Sequence, residues 1–198
     1  MNSRNLFYIR YLQRKFYFSR NKLVLGLFSL EEYLFDNFKS NEEIPLSKLK
    51  QKWIFDNISE GDFSNEITSK LKVFNDKSHK NKILDLIETF IQFPEISDQK
   101  KFIKSIKSFN SKFNNLLKSF NVDFFETSYL FQLTQLIYRK NLNIQCTQDD
   151  LCFEVKRKPL DLFELVFIEI FLKQYIRKEF KITKSYYLAK LLLKFIYK

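Results

Sequence analysis

A chain of 198 residues, 45% of them hydrophobic, is long enough for one domain with a full core and is short for two. Its 34 Lys+Arg outnumber its 23 Asp+Glu, and the net charge of +11 favours a polyanionic partner, nucleic acid or an anionic surface. With only 2 glycines there is no phosphate-cradling loop, and no apolar run reaches the roughly 18 residues of a membrane span, so nucleotide-binding enzymes and membrane-spanning proteins fit poorly.

The first 30 residues contain Arg4, Arg10, Arg14 and Arg20 and no acid. They resemble a mitochondrial transit peptide and are expected to persist as a basic arm. Tyr8, Tyr11 and Tyr17 interleave with these cations. Such a mixture stacks on bases while neutralising phosphates; the plainer alternative is an amphipathic helix packed on its own domain. Ser29 with Glu32 reads as a capping box for a helix through about Phe38. Ser47 is the predicted cap of a helix carrying Leu49, Trp53, Ile54 and Ile58, which Gly61 stops. Ser64 opens a short helix with Ile67, Leu71, Val73 and Phe74 apolar. After a polar loop, Ser78 is the predicted N-cap of a helix over 80–93 with Ile83, Leu84, Ile87, Phe90 and Ile91 as its stripe. His79 is the single histidine and has no Cys or second His beside it, so it is expected to be solvent-exposed rather than a ligand or a catalyst.

Ser97 is the predicted cap of a long helix to Phe120, whose stripe of Phe102, Ile103, Ile106, Phe109, Phe113, Leu116, Leu117 and Phe120 is core. Its other face carries Lys100, Lys101, Lys104, Lys107, Lys112 and Lys118. The ordinary reading of that face is a solvated surface; the functional one is a track along a phosphate chain. Asp123 with Glu126 predicts a capped helix over 124–140. Two alternating runs, 142–147 and 151–156, then predict an antiparallel hairpin with Ile144, Cys146, Leu151 and Phe153 on one face. In that register Cys146 and Cys152 point to opposite faces, so no disulfide is expected and a reducing compartment fits. Two Cys and one His are too few for a structural zinc site.

A basic corner, Lys156-Arg157-Lys158-Pro159, leads into a helix over 160–180 that is apolar almost all round. It is expected to be the most buried element, with Leu162, Phe163, Val166, Phe167, Ile170, Phe171 and Tyr175 inside. Thr183 caps the last helix, through Tyr197. The expected fold is mainly α, a helical bundle with one β-hairpin inserted before the last two helices. A basic arm with extension helices is expected over 1–60 and a core domain over 61–198.

This order of elements, with Phe153-Glu154-Val155-Lys156-Arg157-Lys158-Pro159 closing the second strand, resembles the small-subunit ribosomal protein seven family of bacterial and mitochondrial type. In that family the second strand ends in a Val-Glu-Val-Arg-Pro type corner. The run from Ile168 to Lys178 stands where the family's next helix ends in cations, and Lys184-Ser185 and Leu188-Ala189 follow its next pattern. The resemblance covers roughly 66–95 and 123–197. The tip Gln148-Asp149-Asp150 departs from it, being short and acidic where the family's is longer and basic.

The resemblance implies a non-enzymatic structural constituent of the small ribosomal subunit. Its partners would be ribosomal RNA of the subunit head and neighbouring ribosomal proteins. No cofactor, metal, membrane or small-molecule substrate is implied. Richness in Phe, Ile, Lys, Asn and Tyr, the residues of AT-rich codons, together with the basic first 30 residues, points to the mitochondrial matrix or to the cytoplasm of an organism with an AT-rich genome. The expected RNA contacts are Arg4, Arg10, Arg14, Arg20, Lys77, Lys80, Lys82, Arg139, Lys140, Lys156, Arg157, Lys158, Arg177, Lys178, Lys181 and Lys184. A second reading is a non-enzymatic, protein-binding accessory subunit of an organellar respiratory-type complex. It accounts for the 24 Phe equally well and for the +11 charge less well. A DNA-binding regulator ranks third, because 182–192 opens a helix-turn-helix with no recognition helix after it.

Overall fold

The computed structural model describes residues 7–38, 44–93, 98–140, 161–176 and 184–196. Among them it is helical: α1 (Phe7–Phe16), α2 (Lys22–Asn37), α3 (Ile44–Glu60), α4 (Glu66–Ser69), a 3-10 turn (Lys72–Phe74), α5 (Lys77–Ile91), α6 (Gln99–Ser119), α7 (Tyr129–Lys140), α8 (Leu162–Ile176) and α9 (Lys184–Ile196). No strand occurs among the described residues. The hairpin expected over 142–156, with Ile144, Cys146, Cys152 and Phe153, lies outside them.

Two compact units result: Met1–Phe16 with Phe125–Lys198, and Tyr17–Phe124. The division therefore does not fall at residue 60. The reason is visible in α2, where Val24, Leu27, Phe28, Leu30, Leu34 and Phe35 are fully buried. That segment is core, not arm.

The second unit is built on phenylalanine. Phe35 lies against Phe90 and Phe109 with ring centroids 5.7 and 6.0 Å apart. Phe90 and Phe93 approach to 4.5 Å, and Phe28 stacks on Phe113 at 6.2 Å. Each such ring removes a large apolar area from water, and paired rings add roughly 0.5–1.5 kcal/mol beyond that. Gly26 lets α2 approach the 3-10 turn, since a Cβ there would stand 3.0 Å from the Phe74 ring.

The helix starts differ from expectation in a consistent way. Asn21, Asn65, Asp76 and Asp98 are the caps, each accepting a backbone N–H from the first turn of its helix. Ser29 lies inside α2 and donates to the Leu25 carbonyl at 2.9 Å, while Ser47 lies inside α3 and donates to the Asn37 carbonyl. Ser64 precedes the true cap Asn65, Ser78 lies in the first turn of α5 and donates its N–H to the cap Asp76, and Ser97 lies outside the described residues. An Asx side chain caps as well as serine, and a carboxylate adds attraction to the positive helix end. The stop at Gly61 is as expected: φ is +79°, with Gly61 N–H bonded to the Ile58 carbonyl and Asp62 N–H to the Asn57 carbonyl. Asn121, at φ +59°, ends α6 by the same device, with Val122 N–H on the Leu117 carbonyl at 3.1 Å.

In the first unit α8 is the element on which α1, α7 and α9 all pack. Phe163, Val166, Phe167, Ile170 and Phe171 are buried as expected, and Leu162 is partly covered. The side chain of Tyr175 lies outside the described ones. Asp161 caps α8, its Oδ1 accepting from the N–H groups of Phe163 (3.0 Å) and Glu164 (3.2 Å). The helix expected from 124 begins only at Tyr129, because Thr127 and Ser128 are drawn into bonds with Glu164.

Candidate nucleic-acid interface

Helix α6 has six lysines and no acidic residue in its 21 positions. Its apolar stripe, from Phe102 to Leu117, is buried, which fixes the opposite face toward solvent. Lys101 pairs with Asp98 at 2.9 Å, and Lys112 with Asp85 at 2.7 Å. Lys100, Lys104, Lys107 and Lys118 are exposed. At 3.6 residues per turn these four fall within an arc of about 60° and run along roughly 27 Å of axis. Ser108, Ser111 and Asn115, also exposed, fill the ridge with neutral hydrogen-bonding groups. A row of exposed lysines on a helix that carries no acidic residue of its own is a surface that attracts a phosphate backbone.

The α5 start gathers further cations. Lys77 and Lys82 are exposed and Lys80 is partly covered. His79 and Phe74 both lie on the Phe120 ring, at 5.2 and 5.8 Å, so this end of α5 meets the end of α6 that carries Lys118. His79 is less open than expected, its side chain 20% exposed and 3.2 Å from Asp76. The Asp76 carboxyl is held below its usual range by hydrogen bonds from Ser78, with a smaller contribution from His79.

Of the remaining expected contacts, Arg20 is exposed and Arg14 partly covered. Arg10 turns inward instead, with 2% exposure. Its guanidinium donates to Gln13 Oε1 (2.7 Å), Glu164 Oε1 (3.0 Å) and Thr127 Oγ1 (2.9 Å), and stands 4.8 Å from the Phe131 ring centroid. Glu164 also accepts from the Thr127 hydroxyl, Ser128 N–H (2.8 Å) and Gln13 Nε2 (3.3 Å). Burial pushes Glu164 up to about 7, against the lowering effect of Arg10. This network ties α1 and the 125–128 segment to α8, so Arg10 is a structural cation of its unit. Arg139, Lys140 and Lys184 stand at helix ends, with side chains outside the described ones. Arg4, Lys156, Arg157, Lys158, Arg177, Lys178 and Lys181 lie outside the described residues.

The α6 ridge is absent from the contacts expected by resemblance, although the sequence signals it through the spacing 100-104-107-111-115-118 in a segment free of acids. Among the described residues no three His, Cys, Asp or Glu side chains are grouped to hold a metal ion, and no helix is long and apolar enough to cross a membrane. No protein-family model, curated protein or solved structure matches this chain.

Proposed function

We propose that this chain is a non-enzymatic, RNA-binding structural component of a ribonucleoprotein, of the small-ribosomal-subunit type and mitochondrial. The observation that carries the reading is the row of exposed Lys100, Lys104, Lys107 and Lys118 along one face of α6, a helix with no acidic residue of its own. Each lysine placed on a phosphate releases counterions, and a helix face of this kind reads backbone rather than base sequence. The expected hairpin at 142–156 and the cations of Lys156-Arg157-Lys158 belong to this reading as a second contact, and neighbouring ribosomal proteins as further partners.

The test is the salt dependence of binding to a structured RNA. Changing Lys100, Lys104, Lys107 and Lys118 together to Ala should leave the helical circular dichroism unchanged. The slope of log affinity against log salt should become shallower by roughly 3, near 0.7–0.9 per lost phosphate contact. An unchanged slope would show the ridge to be merely solvated. The accessory-subunit reading would then lead, since exposed Leu192, Phe195 and Ile196 on α9 present apolar surface to a protein.

A further inference from the structure

Helix α9 has two apolar faces where it needs one. Tyr187 and Leu191 are 3% and 6% exposed, and the Tyr187 hydroxyl donates to the Phe163 carbonyl of α8 at 2.9 Å. The outward face consists of Ser185, Tyr186, Ala189, Leu192, Leu193, Phe195 and Ile196, all exposed and none charged. Ile196 is 73% exposed and Leu192 60%. A run of this size on one helix exceeds the scattered apolar exposure of an ordinary surface.

A groove of about 550 Å³ opens between α8 and α9 beside that face. Its apolar walls include Leu165, Ile170 and Leu193, and its charged groups are Lys173, Lys190, Lys194 and Glu169. Lys194 is bonded to Glu169, so the rim presents the charge of Lys173 and Lys190 in excess. From Leu162 to Lys173 the groove follows α8 for roughly 16 Å, about three helical turns.

We propose that this groove and the uncharged face of α9 dock an amphipathic helix of a neighbouring protein, with apolar residues at i, i+3 or i+4 and i+7 and acidic residues along its flank. Apolar anchors of such a helix fill the recess. Its carboxylates meet Lys173 and Lys190 and set its direction. The charge disfavours pairing with the α9 of a second copy, because that helix has three lysines and no acid. A recessed groove also distinguishes a helix from a bilayer surface, which is flat and cannot send anchors into it. The proposal is independent of the α6 ridge, which belongs to the other unit.

The test places a photo-crosslinking residue in the full-length chain, as Leu193→p-benzoylphenylalanine, in cells that make its native assembly. Cross-linked peptides are then sequenced by mass spectrometry. The expected product joins Leu193's position to one segment of another protein that has apolar residues at helical spacing and at least two flanking acids. Its yield should fall at least fivefold when Lys173→Glu and Lys190→Glu are added, with the helical circular dichroism unchanged. The added pair is needed because a cross-link alone reports only proximity. Adducts to RNA, to lipid or to a second copy would overturn the proposal. So would a yield insensitive to the charge reversal, or no product above that given by the same residue at Ser111. Loss of RNA binding by the α6 variant would leave the cross-link in place, so the two readings fail separately.

Discussion

Replacing Arg10 with Met removes the cation from a fully enclosed carboxylate and should destabilise the first unit in a manner that depends on pH. Arg10 and Glu164 have side-chain exposures of 3% and 0%. Breaking such a pair from one side costs roughly 3–5 kcal/mol, because the other charge stays buried. The sign of the pH effect follows from Glu164. Its native pKa, raised from 4.5 to about 7 by burial, means that the folded chain holds a proton which the unfolded chain releases in that interval. Stability from this group therefore falls as pH rises from about 4.5 through about 7, by roughly 3 kcal/mol in all, and is flat above. Without Arg10 the Glu164 pKa rises further, so the loss continues to higher pH and the Arg10→Met cost should be greater at pH 8 than at pH 6. Glu164→Gln should abolish this pH dependence. The double variant, with no buried charge, should recover much of the loss. Urea melts followed by far-UV circular dichroism measure all four chains; the single Trp, Trp53, lies in the other unit and is the wrong probe. A cost below 1 kcal/mol, or one identical at pH 6 and pH 8, would show that Glu164 holds no buried charge that depends on Arg10.

Three further outcomes follow from packing and charge. Phe167→Ala should cost roughly 3–5 kcal/mol in the same melts, since Phe167 is 2% exposed and touches Phe131, Tyr138 and Phe171. Gly26→Ala gains roughly 0.5–1 kcal/mol of helix propensity but sets a methyl 3.0 Å from the fully buried Phe74 ring and 3.1 Å from Val73. Overpacking of roughly 1–3 kcal/mol should win, giving a lower melting temperature. A triple Lys156→Ala/Arg157→Ala/Lys158→Ala variant should keep its helical spectrum and lose roughly 2 from the salt slope of RNA binding, if these cations meet duplex-like phosphates.

The apolar stripes were the most legible part of the sequence. Ile83, Ile87 and Phe90 in α5, and Phe102, Ile106, Phe109, Phe113 and Leu117 in α6, are buried as their helical spacing implies. Helix starts were less legible, because Ser, Asn and Asp compete for the same role within a few residues. At Asp98 and Asp76 the acid prevails over a neighbouring serine. The division into units was hidden because α1 pairs with α8, more than 140 positions away in sequence: Arg10 and Glu164 are 154 apart. Pattern within a window carries no trace of such a pairing. For the same reason Arg10 read as a surface cation, although one buried acid in the apolar helix α8, Glu164, was the sign that a buried partner was required. The ridge on α6 was legible as spacing, and the engagement of Lys101 by Asp98 and of Lys112 by Asp85 emerged only in the folded chain.

RNA binding within a ribosomal particle is checked by the composition of the native particle that contains this chain. Purified through a tag on the chain and irradiated at short ultraviolet wavelength, it should contain small-subunit ribosomal RNA, with nucleotide adducts on the peptides of α6 that carry Lys100 to Lys118. A particle made of protein alone, stable to ribonuclease and without nucleotide adducts on α6, would contradict it.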